Sequence, residues 1–415
     1  MSYIPRHAEK VISTLASMFG VVLVTGARQV GKSTLLERHT ASAPGGIKSL
    51  TLDNAGVLES AQKTPETFFM YNTPPLYIDE IQKAPELFSE MKILVDSTKS
   101  KGLLYLSGSE QFSMMANVTE SLAGRVGILN LMGLSSRETL LDPFDDPFIP
   151  SQEFLTKRQN EGFSTEKITA ATLWQRIHRG SMPELSVNPQ FDWSMFYGSY
   201  IRTYIERDVR RLVSVGDDIK FQSFMAVVAA RTGQMLNVAD IASDVGISAG
   251  TAQRWLSILV ASNLVYLLRP YFTNQTKRAI KSPKLYMTDT GLAAYLLRWN
   301  SYETLREGAM SGSFLETYVV TEVLKSYCNR GVLDPPLYYY RDKDKREIDL
   351  LIESDGHLHP LEIKKAGVAR AGDVNSFRVL DSLSGIKRGS GGVICLTADL
   401  MPISSTDVAI PIGFL

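Results

Sequence analysis

The chain has 415 residues, of which 44 are Lys or Arg and 44 are Asp or Glu, so its formal net charge at pH 7 is zero. This balance excludes a global basic field of the kind that draws a whole protein to nucleic acid, although it leaves room for a local basic face. Two cysteines, Cys328 and Cys395, are too few for a disulfide framework or a zinc cluster. The length predicts two or three domains. Since neither a secretory signal nor an apolar stretch of membrane-spanning length is visible, we expect a cytoplasmic protein without membrane contact.

A glycine-rich motif lies near the N-terminus. Residues 26–33 have the pattern G-x-x-x-x-G-K-[ST] and follow the apolar run of residues 21–24, which is the strand–turn–helix context of a P-loop. The backbone N–H groups would face a phosphate chain, Lys32 would reach the β- and γ-phosphates, and Ser33 would offer a hydroxyl to Mg²⁺. The dipole of the following helix adds to this attraction. We therefore predict ATP and Mg²⁺ as cofactors, with the nucleotide held by Gly26, Ala27, Arg28, Gln29, Val30, Gly31, Lys32, Ser33 and Thr34.

Apolar strand-like runs alternate with helical patterns through the first third of the chain. The runs are residues 21–25, 49–52, 75–78, 103–106 and 126–131. This alternation predicts βαβ units and a parallel sheet, in which the fourth run lies between the first and the third. We predict a P-loop ATPase domain over residues 1–141.

Two adjacent carboxylates, Asp79 and Glu80, end the third apolar run. Asp79 would hold Mg²⁺ through water, and Glu80 would polarise the attacking water as general base. Alone, such a pair is equally typical of a solvated turn, but the P-loop favours the catalytic interpretation. Ser107 or Ser109, at the end of the fourth run, would sense the γ-phosphate.

The transferred phosphoryl group also needs a cation that stabilises its developing charge. Arg125, just before the fifth run, is our candidate, acting either in cis or across a subunit interface. A plain surface arginine is the alternative.

The middle of the chain has a helical pattern. Residues 142–235 are predicted as a helical linker region, with helices over 170–179 and 191–213. Residues 238–256 read as helix, turn and helix, with Gly246 in the turn and Ser248 as a cap, and a strand follows. We predict a winged-helix module over 236–300, which could serve either DNA or a protein partner. Positive charge that would favour DNA follows the strand, at Lys277, Arg278, Lys281 and Lys284.

A second group of candidate site residues lies in the last domain, predicted over residues 301–415. A hairpin turn signal at residues 354–356 separates two strand patterns, which carry Asp349 on one side and Glu362 and Lys364 on the other. Residues two apart on a strand share a face, so Glu362 and Lys364 can meet Asp349, and Glu316 lies on an upstream helix. Carboxylates of this kind suit a divalent cation, and Lys364 could orient a nucleophile. The alternative is an ion-paired hairpin without metal.

The order Glu316, Asp349, Glu362-Ile-Lys364 resembles the PD-(D/E)xK nuclease pattern. More of the chain, namely residues 4–6, 26–33, 79–80, 121–125, 204–208, 284–292 and 362–364, resembles a prokaryotic family in which an AAA-type P-loop ATPase precedes a C-terminal region of unknown function. The resemblance implies ATP binding, a winged helix and a restriction-endonuclease-like C-terminal end. Ser107 stands where that family usually has Thr, and the hydroxyl is kept.

The sequence therefore predicts an α/β fold: a P-loop NTPase with a parallel sheet, followed by an α-helical and winged-helix module and a small α/β nuclease-like domain. We expect Mg²⁺-dependent ATP hydrolysis coupled to DNA binding or processing. An ATP-driven switch that binds a protein or DNA partner, with a catalytically silent nuclease-like domain, is the alternative. The oligomeric state is left open.

Overall fold

The computed structural model describes residues 3–108, 118, 121–143, 146–161, 168–204, 218–272 and 282–415. The elements of the N-terminal part, in chain order, are α1 (Glu9–Met18), β1 (Val21–Thr25), α2 (Lys32–Ala41), β2 (Lys48–Thr51), α3 (Ala55–Lys63), α4 (Pro65–Tyr71), β3 (Leu76–Asp79), α5 (Leu87–Thr98), β4 (Leu104–Ser107), β5 (Val126–Asn130) and α6 (Ser136–Thr139).

The five strands form one parallel sheet in the order β2-β3-β4-β1-β5. Because side chains alternate along a strand, each strand serves two cores. Val21 and Leu23 pack in a cluster with Ile78, whereas Val22 and Val24 pack in a second cluster on the opposite face. The structure confirms the predicted P-loop NTPase fold class and the position of β4 between β1 and β3.

The middle of the chain is mainly helical. Its elements are α7 (Gln152–Asn160), α8 (Ala170–Arg179), α9 (Pro183–Val187), α10 (Trp193–Tyr204), α11 (Asp218–Ala230), β6 (Gln234–Met235), α12 (Val238–Val245), α13 (Ala249–Ala261), β7 (Val265–Pro270) and β8 (Lys284–Met287). Helix α8 has the predicted bounds. The predicted helix over 191–213 is observed as α10, which begins two residues later than predicted, and residues 205–213 lie outside the described part.

Helices α12 and α13 are joined by a short turn whose local chemistry follows the sequence. Gly246 adopts a left-handed backbone conformation with φ of 70°, which glycine reaches without steric cost. The Ser248 side chain accepts the backbone N–H of Thr251 and so caps α13. Strands β7 and β8 then pair antiparallel. The helix–turn–helix is confirmed, while the winged-helix assignment stays a prediction.

The last part contains one long helix and a sheet. Its elements are α14 (Thr290–Leu296), α15 (Tyr302–Glu307), α16 (Ser311–Cys328), β9 (Leu337–Arg341), β10 (Glu347–Ser354), β11 (His357–Ile363), β12 (Lys387–Arg388), β13 (Gly391–Cys395), β14 (Met401–Pro402) and β15 (Asp407–Pro411). The predicted hairpin corresponds to β10 and β11, which pair antiparallel.

A parallel pair between β7 and β9 joins the strands after the helix–turn–helix to the C-terminal strands. One continuous sheet results, with the order β14-β15-β13-β11-β10-β9-β7-β8-β6 and with β12 on β11. The predicted border at residue 300 therefore lies between strands of the same sheet, and the division into domains stays a prediction. Cys328 and Cys395 are buried free thiols. Among the described helices, none is both long and apolar enough to cross a membrane.

Candidate functional site

The loop between β1 and α2 forms a tight cradle. Gly26 has φ of 141°, and a Cβ placed on it would lie 2.0 Å from the Leu131 carbonyl oxygen, so a side chain cannot be accommodated there. Gly31 has φ of 92° and directly precedes α2. Both motif glycines are thus required by the backbone, and α2 begins directly after the loop, so the N–H groups of its first turn and its dipole favour an anion there.

The Lys32 side chain folds back over the loop. Its ammonium donates to the carbonyl oxygens of Gly26 at 3.0 Å and Ala27 at 2.7 Å. Lys32 is buried, and it also lines the cavity described below. Neutral carbonyls are weaker partners for an ammonium than a phosphate oxygen is, so an incoming anion can replace them.

Asp79, at the end of β3, lies next to the P-loop serine. The Ser33 hydroxyl is 3.2 and 3.1 Å from the two carboxylate oxygens of Asp79. Ser107, at the end of the neighbouring β4, also donates to Asp79 and bonds the Tyr77 hydroxyl at 2.8 Å. Burial, and next the charge of Asp79, raises the pKa of Tyr77, which keeps its hydroxyl neutral. Ser109, the other sensor candidate, lies outside the described residues.

The oxygens of this group fit Mg²⁺. A hydroxyl and a carboxylate are hard ligands of the kind that Mg²⁺ binds together with phosphate and water. Ser33 and Asp79 are the residues that would hold the ion. Their mutual hydrogen bond shows that the two side chains already reach the same point beside the loop.

Glu80 follows Asp79 with φ of 57°, a left-handed conformation that is uncommon for a residue other than glycine. Its carboxylate accepts a hydrogen bond from the Gln82 side-chain amide. Glu80 lines the same cavity as Lys32 and Ser33. The backbone thus places this side chain in the cavity next to Asp79, and its role as base stays a prediction.

The structure does not bring Arg125 to this site. Arg125 precedes β5, and its carbonyl oxygen accepts the N–H of Val21 at the start of β1, whereas the P-loop follows the end of β1. Its guanidinium makes a bidentate ion pair with Asp96, with Nε at 2.6 Å from one carboxylate oxygen and Nη2 at 2.8 Å from the other. Arg125 therefore lies near the N-terminal ends of the parallel strands, whereas the P-loop lies at their C-terminal ends. This position does not agree with the predicted role in cis. Action across a subunit interface stays a prediction.

Arg6 has a role that the sequence reasoning missed. Its guanidinium donates to the carbonyl oxygens of Val30 and Met132, each at 2.8 Å, and pairs with Glu138 at 2.9 Å. Burial acts to raise the pKa of Glu138, but the charges of Arg6 and His7 outweigh it and lower that pKa. Arg6, held by its buried pair with Glu138, therefore fixes the P-loop backbone at Val30. In the sequence, Arg6 belongs to residues 4–6, which contribute to the family resemblance. No chemical motif at these residues indicates a bond to the P-loop.

A cavity of about 1060 Å³ opens beside the P-loop, and one of its walls comes from the helical region. Pro183 and Glu184 of α9 and several residues of α10 face the phosphate cradle across it. The Cγ atom of Pro183 lies 4.0 Å from where a Cβ of Gly31 would be. No sequence motif indicated that α9 and α10 form this second wall.

Asp289 holds the segment that carries Pro183. Its carboxylate accepts the backbone N–H and the hydroxyl of Ser181, each at 2.7 Å, and the Tyr197 hydroxyl at 2.6 Å. It also caps α14 by accepting the N–H of Leu292 at 2.7 Å. Asp289 belongs to the stretch 284–292 on which the family resemblance rests, and this tether is a physical reason for an acid at that position.

The C-terminal carboxylates do converge, but around a lysine. The Lys284 ammonium lies 2.6 Å from Glu347, 3.0 Å from Glu316 and 3.8 Å from Asp349. The Tyr286 hydroxyl also donates to Glu316, at 2.6 Å. We expected Lys284 to add positive charge for DNA. The Lys284 side chain is only 4 % exposed, so it is not available to a DNA backbone.

The remaining members of the predicted nuclease site pair with each other or with the backbone. Lys364 donates to Glu362 at 2.7 Å, and Asp349 accepts the N–H of Ile363 at 2.9 Å. In the described part of the chain, no three His, Cys, Asp or Glu side chains are arranged to hold a metal ion. Because the Lys284 ammonium already lies between Glu316, Glu347 and Asp349, the residues do not fit a divalent cation as they stand. We call Lys284, Glu316, Glu347, Asp349 and Glu362 the acidic cluster.

The pKa values in the acidic cluster follow from burial and from mutual charge. Burial lowers the pKa of Lys284, but the charges of Glu316, Asp349 and Glu347 outweigh it and raise that pKa. Burial raises the pKa of Asp349 against the effect of Lys284. Burial, and next the charge of Asp349, raises the pKa of Glu362 to about 8. The cluster therefore keeps its ammonium charged and favours a proton on Glu362 at neutral pH.

Three family models match separate parts of the chain. Residues 19–140 match an AAA domain, residues 170–303 match a domain of unknown function (DUF8612), and residues 311–415 match a domain of unknown function (DUF4143). The N-terminal part is an AAA-type P-loop domain. The other two descriptions assign no activity, so the nuclease-like character of the C-terminal part stays a prediction.

Whole-length relatives exist in mycobacteria. Uncharacterized proteins of Mycobacterium tuberculosis and Mycobacterium bovis are each 28 % identical over 393 residues, which cover 94 % of this chain and 80 % of the relative. Among solved structures, a Walker-type ATPase of Pyrococcus abyssi is similar with a TM-score of 0.41 and 14 % identity, over 70 % of this chain and 94 % of that chain. A RuvB variant from Thermotoga is similar with a TM-score of 0.31 and 15 % identity, over 67 % and 95 %.

Proposed function

We propose that the protein binds ATP with Mg²⁺ and hydrolyses it at the P-loop. The observation that carries this proposal is the meeting of Lys32, Ser33 and Asp79 at one edge of a cavity large enough for a nucleotide. Residues 26–34 would bind the phosphates through backbone N–H groups, and Lys32 would leave its carbonyl partners for the β- and γ-phosphates. Mg²⁺, when bound by Ser33 and through water by Asp79, neutralises charge on the phosphate oxygens.

Hydrolysis needs a base that takes a proton from water as the water oxygen attacks the γ-phosphorus, while the bond from that phosphorus to the β–γ bridging oxygen breaks and ADP leaves. We assign the base to the carboxylate of Glu80, which lines the cavity beside Asp79. The Ser107 hydroxyl, held by Tyr77 and Asp79, would report the presence of the γ-phosphate. No arginine of the described residues is assigned to the transition state.

Two substitutions test the proposal in phosphate-release and nucleotide-binding measurements. Lys32→Ala removes the phosphate-binding cation, and we expect ATP hydrolysis to fall by about a hundredfold or more. Glu80→Gln keeps the side-chain shape but removes the base, so ATP binding should persist while turnover falls by a factor of about 10²–10⁴. Lys63→Ala is the control, since Lys63 makes only an exposed pair with Glu59. Wild-type turnover in Glu80→Gln would remove Glu80 as the base.

For the C-terminal part we propose a binding partner whose affinity depends on the nucleotide state, with no cleavage of that partner. The position of Lys284 among Glu316, Glu347 and Asp349 supports this switch over a nuclease. By reciprocity, ATP would change the affinity for a DNA or protein partner by the same factor as the partner changes the affinity for ATP.

The competing proposal is metal-dependent processing of DNA, which the convergence of Asp349 and Glu362 on one hairpin supports. It predicts cleavage of branched or single-stranded DNA with Mg²⁺ or Mn²⁺, lost in Asp349→Ala and in Lys364→Ala. Such cleavage would contradict the switch. Its absence over all DNA forms, together with nucleotide-dependent DNA retention in a gel-shift measurement, would favour a DNA-binding switch.

A further inference from the structure

The two walls of the cavity beside the P-loop differ in chemistry. The wall from the N-terminal domain offers charged or polar side chains, among them Lys32, Asp79 and Glu80. The apolar and aromatic lining comes from the helical region instead, namely from Pro183, Phe191, Met195, Phe196 and Tyr200. A nucleoside triphosphate has the same division, because its phosphates are charged and its base is a flat ring with apolar faces.

Helix α10 presents a regular stripe to this cavity. Met195, Ser199 and Thr203 are four residues apart, so they lie along one face of the helix, and all three line the cavity. On another face, Tyr197 and Ile201 are buried in the core. Met195 is 71 % exposed, although it is a large apolar residue, and Phe191 just before the helix is 42 % exposed. Apolar surface exposed in a concave site is typical of a ligand contact.

The wall is held at a defined distance from the phosphate cradle. Ser181 is fixed on two sides, because its carbonyl oxygen accepts the N–H of Leu134 at 2.8 Å and its N–H and hydroxyl donate to Asp289. Pro183, two residues on, approaches Gly31 of the P-loop. Tyr197 anchors α10 to the same carboxylate of Asp289. The apolar wall is therefore built into the fold beside the loop.

We infer that the stripe of α10, with Phe191, binds the nucleoside half of the nucleotide, so that the base packs on Met195 while the P-loop holds the phosphates. The inference rests on the proposed function, since it needs a triphosphate in the cradle. The apolar wall and the phosphate cradle line one cavity. A ligand whose charged end lies at Lys32 can therefore reach α10 with its other end, which favours a nucleotide as the occupant. Arg6 does not compete for the base, because its guanidinium is buried under the loop in bonds to Val30, Met132 and Glu138.

The test compares ATP with inorganic tripolyphosphate, which has the phosphates but no nucleoside. Both are titrated calorimetrically, with Mg²⁺, into the full chain and its variants. Met195→Ala should raise the Kd for ATP by about tenfold, the loss expected when a contacting apolar side chain is shortened, and should leave the Kd for tripolyphosphate unchanged. Ser199→Trp fills the cavity from the same stripe and should weaken ATP further, again without effect on tripolyphosphate.

Met70→Ala is the matched control, because Met70 is 72 % exposed on α4 and does not line the cavity, so it should change neither Kd. An unchanged Kd for ATP in both Met195→Ala and Ser199→Trp would overturn the inference and leave the proposed function standing. Equal weakening of ATP and tripolyphosphate would also overturn it, since the variants would then act on the phosphate cradle. A wild-type chain that binds neither ligand would overturn the proposed function itself.

Discussion

Two buried lysines, Lys32 and Lys284, have very different partners. Lys32 donates to the backbone carbonyls of Gly26 and Ala27, which are neutral, whereas Lys284 lies within 4 Å of three carboxylates. The carbonyl bonds of the first lysine are weaker than bonds to a phosphate oxygen, so a bound phosphate can replace them. The second has its charge already neutralised within the fold. A motif lysine therefore indicates a ligand site only when its partners can be exchanged.

The same comparison explains why one site fits a metal ion and the other does not. Beside Lys32, Ser33 and Asp79 share one hydrogen bond and face a cavity. In the acidic cluster, Lys284 occupies the space between Glu316, Glu347 and Asp349, and Glu362 pairs with Lys364. A divalent cation would have to displace a buried ammonium that these carboxylates stabilise.

Removal of Lys284 tests the contrast between the two lysines with the largest expected effect. Lys284→Met keeps most of the stem but leaves Glu316, Glu347 and Asp349 without a counter-ion in a buried place. We expect the free energy of unfolding to fall by about 3–5 kcal/mol, as is found when one partner of a buried ion pair is removed. Denaturant unfolding followed by circular dichroism measures this change.

The control for this substitution is Lys63→Met, which affects an exposed pair with Glu59 and should leave stability unchanged. If Lys284→Met were as stable as the wild type, the lysine would not be neutralising the cluster, and the contrast with Lys32 would fail.

A smaller effect comes from Glu362, whose pKa is raised to about 8 by burial and by the charge of Asp349. In the unfolded chain this group loses its proton near pH 4.5. Between these two pH values the folded protein holds a proton that the unfolded chain has lost, so the stability due to this group falls as the pH rises toward 8. Glu362→Gln cannot ionise, and from pH 5 to pH 8 it should lose about 3 kcal/mol less stability than the wild type.

Unfolding curves at pH 5, 6.5 and 8 for both proteins measure the difference. Parallel pH profiles would mean that Glu362 is already ionised at neutral pH, and they would contradict the raised pKa of Glu362. Glu59→Gln, at the exposed pair on α3, is the control for the loss of a carboxylate.

Much of the nucleotide site could be predicted from the sequence, because its geometry is local. Residues 26–33 need their glycines for backbone reasons that a short motif contains, and Asp79 follows an apolar strand whose neighbours are set by the βαβ pattern. The ends of parallel strands meet at one edge of a sheet, so Ser33, Asp79 and Ser107 come together as expected. The helix caps at Gly246 and Ser248 were predictable for the same local reason.

The parts that could not be predicted depend on long-range packing. Arg125 is an exception, because it precedes the fifth strand and the starts of parallel strands lie at the edge opposite the P-loop, so its position already follows from the predicted topology. Lys284 enters the acidic cluster because β7 pairs with β9 and brings two predicted modules into one sheet. The α10 wall of the cavity depends on the bonds of Ser181 and Tyr197 to Asp289, which lies about a hundred residues further along the chain.

One measurement tests the central contrast most directly: the binding of Mn²⁺, followed by electron paramagnetic resonance, with and without ATP. We predict one tight Mn²⁺ site per chain that forms only with ATP, is lost in Asp79→Asn and is kept in Asp349→Asn. A Mn²⁺ site that forms without nucleotide and disappears in Asp349→Asn would show that the acidic cluster holds a metal despite Lys284, and it would contradict our account.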